Sequence, residues 1–339
     1  MIESIFNRIL HQLPPEMAHD LAINSMSGIS SCLIKQSHPE GKTHLMGIDF
    51  PGRVGLAAGF DKNGDALPGL SRMGFGFLEI GTVTPKPQAG NPKPRLFRLT
   101  DDQAIINRMG FNNKGVDYLV KQVKKSSHHG VLGINIGKNK DTSNIRALDD
   151  YIHCFRKTHL NADYITINIS SPNTPDLRSL QNDTALEHLL SGLKQVQQEA
   201  HKSSGKYTPL VVKISPDQSP QQLTNMANSL KSCGMDGLIC TNTTIARPEN
   251  LKSSPDLCQQ SGGLSGKPLT EFANETLVQM RTLMGKNFPI IAVGGIMSVE
   301  DAIDKFKLGA DLIQIYSGFV YHGLTLIQQI NGWLKSKHG

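Results

Sequence analysis

Two lysines, a serine and a group of asparagines are the residues of this 339-residue chain best placed to do chemistry. Lys62 and Lys213 each follow a short apolar run, in "GLAAGFDK" and "LVVKIS". A lysine so placed can form an imine with a carbonyl substrate, because burial depresses its ammonium pKa. It can equally act as a fixed positive charge that holds a carboxylate or stabilises an anionic ring, and spacing alone leaves both open. Asn107, Asn168, Asn173 and Asn242 offer donors and acceptors together, which suits a planar amide or imide better than a sugar or an acyl chain. No HxH or HxxxH pattern accompanies them, so no metal is expected. Ser171, in "NISSPNTPDLRS", is either a turn residue or a reagent.

Eight apolar runs position these residues: "VGLAAGFDK", "FLEIGTVT", "VLGINIGKN", "YITINISSPN", "LVVKIS", "GLICTNTT", "IIAVGGI" and "LIQIYSG". Each is followed by a polar or glycine-rich cluster and a helical pattern, the signature of parallel strands buried on both faces. Eight such units predict an α/β fold, a (β/α)8 TIM barrel, whose reactive groups gather at the C-terminal ends of the strands. A single amide or lysine there is ordinary turn chemistry, but these converge from six strands on one mouth. The glycine clusters "GGLSG", "VGGI" and "YSG" lie near the ends of the last three strands, where barrels bind phosphate. Residues 84 to 111 form a long excursion, predicted as a hairpin over the mouth. Residues 1–40 are expected to be an amphipathic helical hairpin and 41–339 the barrel. Ile2, Ile5, Phe6, Ile9, Leu10 and Leu13 form one stripe, and Ala18, Leu21, Ala22, Met26 and Ile29 a second. Residues 36 to 47 are read as a linker.

A balance of 35 Lys and Arg against 29 Asp and Glu, net +6, favours anionic ligands or an anionic surface. The basic residues are scattered, which argues against nucleic acid. Five cysteines without a CxxC pair suggest free thiols. No run approaches the ~18–20 apolar residues of a membrane span, and no signal peptide is evident.

At this resolution of detail the motifs "GLAAGFDKNG", "EIGTVTPKPQAGNPKPRLFRL", "INRMGFNNKG", "INIGKNK", "NISSPNTPDLR", "KISPD", "TNTT", "GGLSGKPL", "IIAVGGI" and "LIQIYSGF" resemble those of the dihydroorotate dehydrogenases, and specifically their quinone-dependent, membrane-associated class 2. The resemblance implies oxidation of dihydroorotate to orotate in pyrimidine biosynthesis, with hydride transfer to FMN and reoxidation by a membrane quinone. It implies an FMN site of Ala58, Gly59, Lys62, Thr82, Asn135, Asn168, Lys213 and Thr241, with the phosphate at Gly266, Gly295, Tyr316 and Ser317. Dihydroorotate would be held by Lys62, Asn107, Asn168, Asn173, Asn242 and Thr243, with the backbone of residues 107 to 111, through Arg108, Met109, Gly110 and Phe111, lining the pocket. Ser171 falls at the catalytic base, with Thr174 as relay and Lys62 stabilising charge. Class 1 members carry cysteine at that position. His19 and Arg98 match a quinone tunnel formed with the hairpin, and the protein would sit peripherally on the cytoplasmic face of the inner membrane. Phe60 stands where relatives often have leucine, and Asp176 where they have glycine. The competing readings are a class 1 enzyme and a non-redox barrel lyase using an imine-forming lysine.

Overall fold

The structure, a computed structural model, describes residues 12–27 and 36–338. Its centre is a closed barrel of eight parallel strands: β3 (Val54–Leu56), β4 (Phe77–Val83), β7 (Val131–Ile136), β8 (Tyr164–Asn168), β9 (Leu210–Ile214), β10 (Gly237–Cys240), β12 (Ile290–Val293) and β13 (Leu312–Ile315). They neighbour one another in chain order, and β13 closes on β3 through Ile313 opposite Val54. All eight are the runs expected from sequence. Every residue of each is buried, since helices cover the outside and side chains fill the inside.

Inside, small and large residues alternate. Gly55 faces the Phe77 ring and Gly133 faces Tyr164, where an added Cβ would lie 2.4 Å and 2.2 Å from ring carbons. Phe77, Val131, Tyr164, Val211, Ile239, Ile291 and Leu312 form the lower interior. Residues expected to be part of a linker belong instead to a hairpin that plugs this end. Strands β1 (Thr43–Leu45) and β2 (Ile48–Phe50) pair antiparallel across Met46–Gly47, both at positive φ as a two-residue turn of this kind requires. Leu45, Met46, Ile48 and Phe50 pack onto the lower interior.

The excursion after β4 forms β5 (Leu96–Leu99) and β6 (Ala104–Asn107), the expected hairpin, but a third strand joins it. "GGLSG", read as a phosphate loop, is mostly that strand: β11 (Gly263–Gly266) pairs with β6, Gly263 opposite Asn107. Only its end, Ser265 and Gly266, reaches the mouth.

Of the N-terminal hairpin, the second arm appears as helix α1 (Pro15–Met26), opened by Pro15 at its first turn. Ala18, Ala22 and Met26 are buried, and the helix approaches Gly69 so closely that a Cβ there would meet the Met26 carbonyl at 2.5 Å. Leu21, placed by periodicity on the packed stripe, is instead 42% exposed beside Met17 at 59%. The first arm, Ile2 to Leu10, and Ile29 lie outside the described residues. Among those described, no helix is long and apolar enough to cross a membrane.

Gly133→Ala drives a methyl into Tyr164 and is expected to destabilise the protein by about 1–3 kcal/mol. Thermal unfolding checks this, with Gly332→Ala as a control of the opposite kind, since that exposed helical glycine has no atom within 4 Å of an added Cβ and alanine is the better helix former.

Candidate active site

Above the apolar floor the barrel interior turns polar around one carboxylate. Glu79, on β4 and 1% exposed, accepts from Asn135 Nδ2 (2.8 Å) through one oxygen and from Gln314 Nε2 (2.8 Å) and the Tyr164 hydroxyl (3.0 Å) through the other. A buried anion needs such donors to offset its lost hydration. The network continues upward. Thr82 Oγ1 donates to Asn135 Oδ1 at 2.6 Å, and Asn168 Nδ2 donates to Thr82 Oγ1 at 2.9 Å and to Asn135 Oδ1 at 3.1 Å. Asn242 Nδ2 donates to Ser170 Oγ at 3.0 Å. Sequence reasoning passed over Glu79 because an acidic residue inside an apolar run carries no motif; its only signal was its inward register on β4.

Burial pulls the Lys213 ammonium below the ordinary lysine range, opposed by the charge of Glu79. Lys213 pairs in register with Asn168 on β8, so ammonium and amide share one level of the barrel. Lys62 sits on the loop after β3. Asp61, fully buried, accepts the backbone N–H groups of Asn63, Gly64, Asp65 and Ala66 at 2.8–3.2 Å, which fixes that loop. Asp61 is therefore a structural cap, and Lys62 is the group it aims. Lys62 Nζ donates to the Gly59 carbonyl at 2.7 Å. Burial, and then the Arg95 guanidinium, lower its pKa to about 8 against the opposing pull of Asp61, Asp20 and Glu16.

Lys62 and Lys213 both line one concave cleft at the barrel mouth, the usual setting of a ligand site. One end carries anion-binding features. Gly266 and Gly295 adopt φ of 92° and 76°, and a Cβ on either would clash with Gln103 O or Thr270 Oγ1 at 2.2 Å. Their backbone is thus bare to the cleft. Ser317, hydrogen-bonded to Ser265 at 2.9 Å, starts a helix that kinks at Gly323, so N–H groups of a helix N-terminus point there as well. Gln314 and Thr243 line the cleft, and Gln314 Oε1 and Thr243 Oγ1 have no hydrogen-bond partner among the described residues.

At the other end a loop from β8 closes over the cleft. The Asn173 N–H donates to Ser171 Oγ at 3.3 Å, and Asn173 Nδ2 reaches Asn107 Oδ1 at 3.2 Å. The neck of the loop is tied by Arg178, which donates to Ser170 O (3.0 Å), Asp217 Oδ2 (2.7 Å) and Thr243 O (3.0 Å). Asp176 adopts φ 53°, the left-handed conformation that glycine favours, and Asn144 donates to its carbonyl at 2.8 Å.

The cleft brings together Ala58, Gly59, Lys62, Thr82, Asn107, Met109, Gly110, Phe111, Asn168, Ser171, Asn173, Lys213, Thr241, Asn242, Thr243, Gly266, Gly295, Tyr316 and Ser317. Five expected residues stand off its wall. Asn135 is wholly buried behind Thr82 and Asn168. The Arg108 side chain turns away to Gln260 and Ser261 and stacks 4.6 Å over Phe97, leaving only its backbone near the cleft. Thr174 is buried, its hydroxyl has no hydrogen-bond partner among the described residues, and it makes no hydrogen bond to Ser171. His19 is half-buried on α1, edge-on to Phe60, which in turn packs on Tyr316 of the cleft. Burial and the nearby Lys62 bring its pKa down to about 3, so the imidazole is neutral. Arg98, on β5, interacts electrostatically with Tyr321. Among the described residues no cluster of His, Cys, Asp and Glu could hold a metal ion.

Against known proteins, residues 41–337 match the family model described as dihydroorotate dehydrogenase. A protein of Idiomarina loihiensis named dihydroorotate dehydrogenase (quinone) is 51% identical over 96% of this chain and 98% of its own. One of the same name from Pectobacterium atrosepticum is 49% identical over 97% and 99%. Among solved structures, that of the Eimeria tenella enzyme DHODH in complex with ferulenol superposes with a TM-score of 0.88 at 37% identity, covering 96% of this chain and 91% of that one. Barrel, polar interior and end-to-end similarity agree: the chain belongs to the dihydroorotate dehydrogenase family.

Proposed function

We propose that this protein oxidises dihydroorotate to orotate, the step its relatives' name denotes, with FMN as bound cofactor and a membrane quinone as final acceptor. The observation that carries this reading is the single cleft in which an anion cradle (Gly266, Gly295, Ser317), a buried lysine (Lys213) and a set of amides topped by Ser171 are contiguous. The cradle fits a phosphate. Lys213 fits the electron-rich edge of a flavin ring, and Asn107, Asn173 and Asn242 fit the planar imide of a pyrimidine.

FMN, when bound, supplies the two-electron acceptor. The rest falls to the chain. Lys62 places positive charge where the substrate's carboxylate would lie, and the three asparagines orient the ring. Ser171 Oγ, accepting from the Asn173 N–H, keeps its own proton free to donate outward and its remaining lone pair free to take the C5 proton. A serine hydroxyl is a weak base, so removal of that proton needs an onward acceptor. Thr174 has an unpartnered hydroxyl in the same loop and serves as that relay through an intervening water. The loop tied down by Arg178 excludes bulk solvent during the transfer. A lyase acting through an imine is less well supported, because Glu79, the carboxylate acting on Lys213, has both oxygens committed to Asn135, Tyr164 and Gln314 and so is poorly placed to shuttle the protons of carbinolamine dehydration.

His19, Phe60 and Tyr316 form a contiguous aromatic path from α1 to the cleft, with Phe319 also against Phe60 at 5.2 Å. This wall is the approach we assign to quinone, with Arg98 at its margin. Met17 and Leu21, one turn apart and exposed, give α1 an apolar outer face suited to peripheral contact with a bilayer.

Ser171→Ala is expected to lower the rate of flavin bleaching by dihydroorotate at least about 100-fold near pH 7, in line with general base catalysis, with the flavin still bound; rapid mixing measures it. Because Lys62 loses its charge as pH rises through about 8, the KM for anionic dihydroorotate is expected to climb above that pH. The same profile in Lys62→Met should be flat. Replacing Met17 and Leu21 together by aspartate should abolish co-sedimentation with lipid vesicles while leaving dihydroorotate-driven bleaching intact; unchanged sedimentation would remove α1 from membrane contact.

A further inference from the structure

Arg95 is a buried cation that no reading of the sequence singled out, and it joins two parts of the molecule. Its Nε and Nη2 donate to Glu16 Oε1 of α1 at 3.1 Å and 2.8 Å. Its Nη1 donates to the carbonyls of Ala89 at 2.6 Å and Asn91 at 3.0 Å. Asn91 then grips the substrate side: its Nδ2 donates to Arg108 O at 3.0 Å and Asn173 O at 3.2 Å, and its N–H to Met109 O at 3.1 Å. Asn173 in turn holds Ser171 Oγ and Asn107.

The pieces have no slack. A Cβ at Gly90 would lie 2.3 Å from Met109 O and 2.8 Å from Arg95 Nη1, and one at Gly110 would lie 2.8 Å from the Asn91 amide. A movement of the guanidinium therefore displaces the 89–91 turn, and the turn displaces the 107–111 and 173 walls. Glu16 is the anion that keeps Arg95 in place. Lys93, exposed, adds a second contact to the same carboxylate at 3.2 Å. Without Glu16, two guanidinium N–H groups in a buried position lose their acceptor, and the cation swings toward water.

We propose that Glu16 and Arg95 are positioning residues for the substrate: through their ion pair, helix α1 sets the geometry of the wall that holds the pyrimidine. The helix on the acceptor side thus fixes affinity on the donor side. The same two side chains act in opposite directions on the charge of Lys62, which adds to the effect. The inference rests on the function proposed above.

The test uses the full-length, FMN-loaded protein and Glu16→Gln, which keeps the shape and removes the charge. Orotate affinity, read from the flavin absorbance, is expected to weaken about 5- to 10-fold, as for loss of one charged hydrogen-bond pair. The limiting rate of flavin bleaching at saturating dihydroorotate, and reoxidation by a short-chain quinone, should stay within about twofold of the parent. Arg95→Lys should weaken orotate by a similar factor, and adding Glu16→Gln to it should change little further. An orotate affinity within about twofold of the parent in Glu16→Gln overturns the inference on its own, as does a loss confined to quinone reoxidation. Independent, multiplicative losses in the double variant overturn it as well. A parent protein that dihydroorotate does not bleach would instead refute the function proposed.

Discussion

Everything polar inside this barrel depends on Glu79 keeping three donors around a charge that water cannot reach. Asn135, Tyr164 and Gln314 each spend a donor on it, and so their remaining groups are fixed in direction. Asn135 is left to present Oδ1 to Thr82 and Asn168, and Gln314 is left with an Oε1 that has no partner among the described residues. A half-satisfied network in a low-dielectric interior is costly, which makes this arrangement all-or-none. The anion also opposes the burial that pulls the Lys213 ammonium below the ordinary lysine range.

Above that layer the mouth is organised by ties between loops. Asp61 folds its own loop with four N–H bonds, and Arg178 binds the ends of three others. Asp217, the partner of Arg178, also accepts from the Thr244 hydroxyl and the Ile245 N–H, so one carboxylate joins the loops after β8, β9 and β10. The loop bearing Ser171 is pinned at its neck by Arg178, and further along it is held by amide contacts from Asn91 and Asn144 and by burial of Thr174 and Leu177. Asp176 retains the left-handed backbone that a glycine would adopt freely, at the modest cost an aspartate pays there.

The eight strands and the hairpin over the mouth were legible because buried parallel strands leave continuous apolar runs between glycine-rich breaks. Lys62, Asn168, Ser171, Lys213 and Asn242 were legible because strand ends in a barrel converge. Other features left no such mark. "GGLSG" carries the same glycines whether it cradles an anion or passes close to Thr243 as a strand, and the structure gives it the second role for all but its last residues. The plug over 43–50 is too short for periodicity to register. Arg95 and Glu16 are ordinary charges until the fold places them together across 79 positions of sequence. Arg108 was assigned to the pocket through its backbone alone, and its side chain finds acceptors and an aromatic face elsewhere.

The plug has a consequence for traffic. With Phe50 and its neighbours packed into the floor, the cleft lies at the opposite end of the barrel, and any flat occupant stretched across it becomes the lid of everything beneath. Ser171 follows β8 and Phe60 follows β3, three strands apart around the ring. In the reaction proposed, the C5 hydrogen therefore departs as a proton beneath the serine loop, while the electron pair taken with the C6 hydrogen leaves past the aromatic wall, so the products of the two bond cleavages part on different sides of one mouth.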